Sequence, residues 1–140
     1  MAITVLLKLA GFTNDLRYVD IAHRVLAQMQ PMMAQYPLGF GQWLQALAYA
    51  ASQPREIAIV GDPEAADTQT LLHVVRDGYR PFQVVALGSP YGQRPGCDDV
   101  PLLQDQGLVK GRAAAYVCRD FACQAPVTDP EGLQAQLEQP

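Results

Sequence analysis

The spacing of apolar residues changes near residue 53 of this 140-residue chain. Before that point, apolar residues recur at the i, i+3, i+4 and i+7 positions of amphipathic helices. After it they come in short continuous runs, which are typical of buried strands in a parallel sheet. We therefore predict a mixed α/β (α+β) fold, with a helical segment over residues 1–53 followed by an α/β lobe over residues 54–140.

Three helices are predicted in the first segment. Gly11 is expected to end the first helix, and Thr13 or Asn14 to cap the second. Pro31 should kink or end the second helix, because proline removes a backbone donor and crowds the preceding turn. The apolar positions predicted to be buried are Ile3, Leu6, Leu7 and Ala10, then Tyr18, Ile21, Ala22, Val25, Met29 and Met32, and finally Trp43, Leu44 and Leu47.

The predicted helices need a surface to cover their apolar faces. Isolated helices of fewer than about 12 to 15 residues are marginal in water, and the first predicted helix is shorter than that. We expect no cover for these faces from within the chain. A second copy of the chain would supply it, so we predict a homodimer buried chiefly through residues 3–33.

The second segment predicts the order β-α-β, a long connection, and then β-β-α. Its four apolar runs lie at 57–60, 84–87, 113–118 and 123–127. The connection, residues 88–111, is rich in glycine and proline, and loops of this length are usually functional or mobile. This order of elements is the minimal thioredoxin-like arrangement, and the β-α-β unit should be right-handed.

Local signals mark the helices of the lobe. Gly78 is predicted to end the first of them in a left-handed conformation. Thr128 and Glu131 fit a capping box for the last helix, and Leu133 and Leu137 are its predicted buried pair.

The turn after the first strand is a candidate ligand-binding turn made of Gly61, Asp62, Asp67 and Thr68. Strand-to-helix turns bind anions through the helix N-terminus, but Asp62, Glu64 and Asp67 would repel phosphate. These acids suit helix capping by Asp62 or Asp67, or a divalent cation. A thioredoxin needs its reactive cysteines at this helix N-terminus, and the turn has none.

Cys118 and Cys123 are the candidate redox residues. They flank a four-residue loop, so a tight hairpin would place them opposite each other at a separation that a disulfide accepts. One interpretation is a redox-responsive pair, with Arg119 favouring the thiolate. The other is two reduced, half-buried cysteines at a strand end. Cys97 lies in the long connection and is predicted to take no part.

The remaining cysteine, histidine and aromatic residues do not form a pattern that predicts a catalytic or metal site. The cysteine pair has no second pair at zinc-ligand spacing, so no metal and no other cofactor is expected. His23 and His73 are predicted to be partly exposed helix residues without an acid–base partner. Trp43 and Tyr49 fit packing better than a carbohydrate platform, because a single aromatic pair on a helix is weak evidence for one.

The charge balance argues against two classes of partner. The chain has 14 acidic and 10 basic residues, a net charge of −4, and no cluster of lysine or arginine. Nucleic acid and anionic membrane surfaces both need a basic patch, so neither is predicted. No apolar run approaches the roughly 20 residues of a membrane span, and no signal-peptide pattern opens the chain. Three cysteines favour a reducing compartment, so we predict a cytoplasmic protein.

Two stretches carry a resemblance to a known family. They are EIAIVGDP at 56–63 and AYVCRDFACQAPVTDPE at 115–131. Together they resemble the C-terminal region of the YyaL-type, spermatogenesis-associated thioredoxin-domain-containing proteins. Members of that family have an N-terminal thioredoxin-like domain and an α/α toroid similar to sugar epimerases and six-hairpin glycosidases. The resemblance implies that residues 1–53 are the end of such a toroid and that the chain is a truncated, C-terminal piece.

The resemblance implies a function without a catalytic residue. Only the tail motif with Cys118 and Cys123 transfers, and no defined catalytic role comes with it. Ala113 stands where the family often has proline, so a cis-proline substrate loop is not expected. We therefore predict a non-catalytic structural or interaction module without autonomous activity. The alternatives are a thiol redox switch or oxidoreductase using the cysteine pair, and a part of a sugar epimerase-like or glycosidase-like protein.

Overall fold

A computed structural model of the chain describes residues 2–89 and 100–139. The helices are α1 (Ala2–Thr13), α2 (Leu16–Gln35), α3 (Gly41–Ala51), α4 (Ala66–Arg76) and α5 (Pro130–Glu138). The strands are β1 (Arg55–Val60), β2 (Gln83–Gly88), β3 (Ala114–Arg119) and β4 (Ala122–Cys123). Short 3-10 turns lie at Pro37–Gly39 and Pro101–Leu103. The predicted mixed α/β fold with a helical N-terminal segment is confirmed.

The strands form one sheet in the order β2-β1-β3-β4. β1 and β2 run parallel, with Ile57 opposite Val85. β3 runs antiparallel to both β1 and β4. The parallel pair is joined through α4, as the sequence predicted for a β-α-β unit, and the hairpin β3–β4 precedes α5.

One face of the sheet packs against α4 and α5. Ile57 and Ile59 of β1 and Val117 of β3 are fully or almost fully buried there with Leu71 and Leu133 of the two helices. Alternate residues of a strand point to opposite faces, so this face takes the odd-numbered positions of β1 and β3. The predicted pair Leu133 and Leu137 is buried in this cluster.

The opposite face of the sheet packs against α1 and the turn Pro101–Leu103. Ala58, Val84 and Cys118 of the strands are buried there with Leu102, and Phe12 of α1 packs against them. The helix therefore covers part of the sheet from within the chain. The expectation that nothing in the chain covers the helical segment is wrong for α1.

Gly11 explains how close α1 lies to the sheet. A Cβ at this position would lie 3.0 Å from Cγ2 of Val84, closer than ordinary contact. Gly11 is thus a packing residue and not the predicted helix stop. The helix continues to Thr13, and Asn14 follows with a φ of 54°, a left-handed conformation that asparagine tolerates.

The other side of α1 forms a second cluster with α2 and α3. Ile3 and Leu7 are buried there with Ala22 and Leu26 of α2 and Tyr49 of α3. The predicted stripe of α1 is confirmed, because Ile3, Leu7 and Ala10 are buried and Leu6 packs against the cluster. The departures lie in α2 and α3, where Leu26, Met33 and Ala46 are buried, whereas Ile21, Met32 and Leu44 are exposed.

The capping residues also differ from those predicted. The cap of α2 is Asp15, whose carboxylate accepts the amide hydrogen of Arg17 at 3.0 Å. α2 continues through Pro31 instead of ending there. Ala65 precedes α4 without a side-chain cap, so neither Asp62 nor Asp67 caps it.

The C-terminal elements are shorter or displaced by about one residue. Asp129, not Thr128, caps α5 by accepting the amide hydrogen of Gly132 at 2.7 Å. The predicted strand 123–127 is reduced to the two-residue β4 and a separate bridge between Val127 and Ala115. Gly78 has the predicted left-handed conformation, with a φ of 77°.

Candidate functional site

A disulfide joins Cys118 and Cys123 across the hairpin β3–β4. The two residues are paired in the antiparallel ladder, with an S–S distance of 2.04 Å and a Cα–Cα distance of 3.9 Å. Cys118 is fully buried, whereas Cys123 is exposed. The structure thus shows a crosslink and not two free thiols. Cys97 lies outside the described residues.

The turn of this hairpin has two residues, not the four expected. Asp120 and Phe121 both adopt left-handed backbone conformations, with φ values of 49° and 59°. A two-residue turn of this kind matches the twist of the flanking strands, but it usually takes asparagine and glycine. The ladder on either side and the disulfide hold the two residues in this conformation. The backbone N–H of Phe121 consequently points at Glu56, with its nitrogen 2.8 Å from Oε2 of the carboxylate.

Glu56 is a buried acid at the start of β1. Its exposed fraction is 6 %, and it lies opposite Cys118 in the ladder. Burial raises the pKa of Glu56, the hydrogen bond from Phe121 opposes that shift, and the charge of Asp120 adds to it. Within residues 2–89 and 100–139, no cation lies at ion-pair distance from its carboxylate.

Glu56 lines a cleft of about 440 Å³ where α1, α2 and α3 meet the hairpin. The ionisable groups that line the cleft are His23, Tyr49, Glu56 and Asp120. Tyr49 is 4 % exposed, and burial together with the nearby Glu56 charge raises its pKa to about 12. The cleft therefore combines a buried acid, a buried phenol and a partly open entrance.

The sequence gives no indication that Glu56, Asp120 and Tyr49 lie together. It predicts a packing role for Tyr49 and no site role for Glu56 or Asp120. One signal is present in the sequence: a lone acid directly before the four-residue apolar run 57–60, which is predicted to be a buried strand. Charged residues are almost never buried without a partner, so such an acid marks a site to inspect.

The predicted ligand-binding turn is filled by contacts within the chain. Asp67 accepts the amide hydrogen of Ala113 through Oδ2 at 2.9 Å and that of Thr68 through Oδ1 at 2.8 Å. The bond from Ala113 lowers the pKa of Asp67. Thr68 is fully buried against Gly61, where a Cβ would meet its Oγ1 well inside contact distance. Asp62 stays exposed and accepts the amide hydrogen of Glu64.

The remaining candidates are separate from the cleft or peripheral to it. His73 is exposed on α4, and His23 is exposed at the edge of the cleft. Over the part of the chain that the structure describes, no three side chains of histidine, cysteine, aspartate or glutamate come together as a metal site. Across the same residues, no helix combines the length and the apolar character needed to cross a bilayer.

Comparison with known proteins finds relatives of one kind. The chain is 31% identical to spermatogenesis-associated protein 20 of Rattus norvegicus over 134 residues, which is 96% of this chain. It is 30% identical to the protein of the same name in Homo sapiens over 132 residues, or 94% of this chain. The chain spans 17% of the length of either relative.

The similarity agrees with the family that the motifs at 56–63 and 115–131 resemble. It covers almost the whole of this chain, including the helical segment as well as the lobe. No protein-family model matches the chain. No solved structure matches it either.

Proposed function

We propose that this chain is a non-catalytic structural or interaction module, the counterpart of a short segment of spermatogenesis-associated protein 20. The similarity over 96% of the chain supports this relationship. The order β2-β1-β3-β4, with β3 antiparallel to its neighbours, supports a thioredoxin-like lobe. Asp67 and Ala113 close the turn where thioredoxins carry their cysteines, so the lobe acts without that chemistry.

The observation that carries the interaction role is the apolar surface of α1 and α2. Val5 is 55 % exposed, Ile21 is 45 % exposed and Met32 is 43 % exposed. Exposed apolar side chains on neighbouring elements are typical of protein interfaces. We propose that a second copy of the chain covers them, with residues 3–33 forming a two-fold interface.

Sedimentation equilibrium tests this proposal with a matched pair of variants. Ile21→Glu introduces a charge at an exposed apolar position of α2, and Gln42→Glu introduces the same charge at an exposed polar position of α3, outside residues 3–33. We expect a dimer for the unaltered chain and for Gln42→Glu, with at least about tenfold weaker association for Ile21→Glu. A monomeric unaltered chain at micromolar concentration would refute the dimer.

A second candidate function, a thiol redox switch, is favoured by the disulfide. Cys123 is exposed, so a reductant in solution can reach one of the two sulfurs. Opening the bond would release the hairpin turn that positions Phe121 over Glu56. A switch of this kind works through conformation and needs no catalytic turnover.

Thiol titration of the unfolded protein distinguishes the redox switch from a permanent crosslink. The chain has three cysteines, so the disulfide form should expose one thiol and the reduced form three. A switch requires that glutathione buffers across the cellular range convert one form into the other. A constant count of one thiol across that range would eliminate the switch.

A further inference from the structure

Glu56 has a carboxylate oxygen that no group of the described chain satisfies. Its Oε2 accepts the amide hydrogen of Phe121, and no donor among residues 2–89 and 100–139 bonds its Oε1. The side chain lines the 440 Å³ cleft, and the residue is only 6 % exposed to solvent. Buried carboxylates are normally paired with a cation or with several hydrogen-bond donors. The Oε1 atom is not among the fully buried side-chain atoms that lack a partner, so it is open to the cleft, which has the space for one.

With histidine counted as neutral at pH 7, the charged side chains that line the cleft, which His23 also lines, have one sign. Glu56 and Asp120 are its carboxylates, and neither lysine nor arginine lines it. Asp120 is exposed in the hairpin turn and its charge acts on Glu56. Two acids facing a partly enclosed space attract positive charge and repel anions, because low-dielectric walls strengthen the field within a cleft.

The remaining walls of the cleft suit an apolar body. Leu7, Leu16, Val19 and the ring-bearing Phe121 contribute aliphatic and aromatic surface. The volume lies within the range of about 300–1,000 Å³ that small-molecule sites occupy. Apolar walls with a few convergent polar groups are the usual composition of such sites.

We infer that this cleft binds a small organic cation whose ammonium group pairs with Glu56 and whose apolar body lies against Leu16, Val19 and Phe121. The ammonium would donate a hydrogen bond to the open oxygen of Glu56, and Asp120 would add its charge at the entrance. This pairing compensates the desolvated carboxylate, which the folded chain alone leaves without a cation. Both proposals made above would affect the site, because Leu16 and Val19 belong to residues 3–33 and the disulfide holds the turn that carries Asp120 and Phe121.

Titration calorimetry with benzylammonium tests the site, with benzyl alcohol and benzoate as neutral and anionic probes of similar shape. Benzylammonium should bind saturably and should shift the NMR signal of the Phe121 amide, which touches Glu56. Benzyl alcohol and benzoate should bind at least about tenfold more weakly, because charge-assisted hydrogen bonds are roughly twice as strong as neutral ones. Equal binding of the neutral probe, or no binding of benzylammonium, overturns the inference.

Three variants locate the binding on the structure. Glu56→Gln keeps an acceptor for Phe121 and removes the charge, and it should weaken benzylammonium by at least about tenfold. Asp120→Asn keeps a residue that tolerates the left-handed turn, and it should weaken binding by a smaller factor. Glu64→Gln removes an exposed acid outside the cleft and should leave the affinity unchanged. An equal loss in Glu64→Gln would show a general charge effect and overturn the site.

Discussion

At the scale of single residues, Gly61 shows how a contact determines which side chain a position accepts. It follows β1 directly, and its missing Cβ leaves room for the buried Thr68. An added Cβ would also lie 2.8 Å from the Cβ of Ala113. The turn between β1 and α4 therefore depends on this glycine for space and not for backbone freedom.

We expect Gly61→Ala to lower the free energy of unfolding by about 1–3 kcal/mol, because overpacking a buried site forces neighbouring groups apart. Gly39→Ala is the matched control, since no atom lies within 4 Å of a Cβ at that position. Urea unfolding should give the unaltered midpoint, or a slightly higher one, for the control. Equal midpoints for both variants would contradict the packing argument.

Glu56 should make the stability of the fold depend on pH. Because its pKa is raised in the folded state, its charged form is disfavoured there, and this penalty is present above the folded pKa. The penalty disappears as the pH falls through the folded pKa toward the ordinary value of 4.5 and below. The groups facing the carboxylate are Asp120, Tyr49 and His23 from three other elements.

We therefore expect Glu56→Gln to be more stable than the unaltered chain at pH 7, by a difference on the order of 1 kcal/mol. The difference should shrink to zero as the pH falls below the ordinary carboxyl pKa. Urea unfolding at several pH values measures it, with the exposed Glu64→Gln as the control. A difference that grows on acidification would reverse the assigned sign.

At the scale of elements, α2 is unusual because Pro31 lies inside it and is exposed. Proline in a helix interior removes one hydrogen bond and crowds the preceding turn. The helix nevertheless continues to Gln35, where Met33 is buried against α1 and α3. Tertiary packing has therefore overridden a strong local signal, which is why the predicted helix end was wrong.

We expect Pro31→Ala to raise the free energy of unfolding by about 2 kcal/mol. Removing proline recovers the roughly 3 kcal/mol that it costs in a helix interior. About 1 kcal/mol of this gain is lost, because alanine gives the unfolded chain more conformational freedom than proline does. Pro130→Ala is the control, because Pro130 stands in the first turn of α5, where no donor is lost. Thermal unfolding compares the two, and no gain over Pro130→Ala would contradict the prediction.

The sequence predicted the strands better than the helix ends. Apolar runs such as 57–60 and 84–87 are bounded by glycine on one side and a polar residue on the other, and each lies within the observed strand. Helix caps depend on one hydrogen bond, and a sequence does not distinguish the predicted Asn14 from the neighbouring Asp15, which can form the same bond. The structure distinguishes them because only Asp15 accepts the bond.

At the scale of the whole molecule, α1 is the element that two cores share. One side contributes Ile3 and Leu7 to the helical cluster, and the other places Phe12 and Gly11 against the sheet. Helical periodicity revealed the first side of α1. It could not reveal the second, because a glycine that permits close approach looks like a glycine that ends a helix.

We expect the helical segment and the lobe to unfold together. Trp43 is the chain's single tryptophan and lies in α3, so its fluorescence reports the helical segment. Hydrogen exchange of the β1 amides reports the sheet. Both signals should change at the same urea concentration.

A pair of variants in α1 tests the shared helix. Gly11→Val places a larger side chain against Val84. It should lower the free energy of unfolding by about 1–3 kcal/mol, and with it the urea midpoints of both signals. Lys8→Val introduces the same β-branched residue at an exposed position of α1 and should have a smaller effect. A shift of the Trp43 signal alone would show that the two parts unfold independently.

For a related reason, the sequence predicted the cysteine pair of the candidate site but not Glu56. The spacing of Cys118 and Cys123 in a hairpin indicates their proximity, since both belong to one local element. Glu56 becomes a site residue only when α1, α3 and the hairpin turn surround it. Those neighbours come from distant parts of the chain, and no local sequence pattern predicts that they surround Glu56.

The unequal burial of the two cysteines determines how their bond can be opened. An incoming thiolate can attack only the sulfur of Cys123, which forms a mixed disulfide there and makes Cys118 the leaving group. That sulfur would leave as an anion in a water-free position beside a carboxylate, which disfavours its departure. Small reductants should therefore act slowly on the native protein and rapidly once the hairpin has opened.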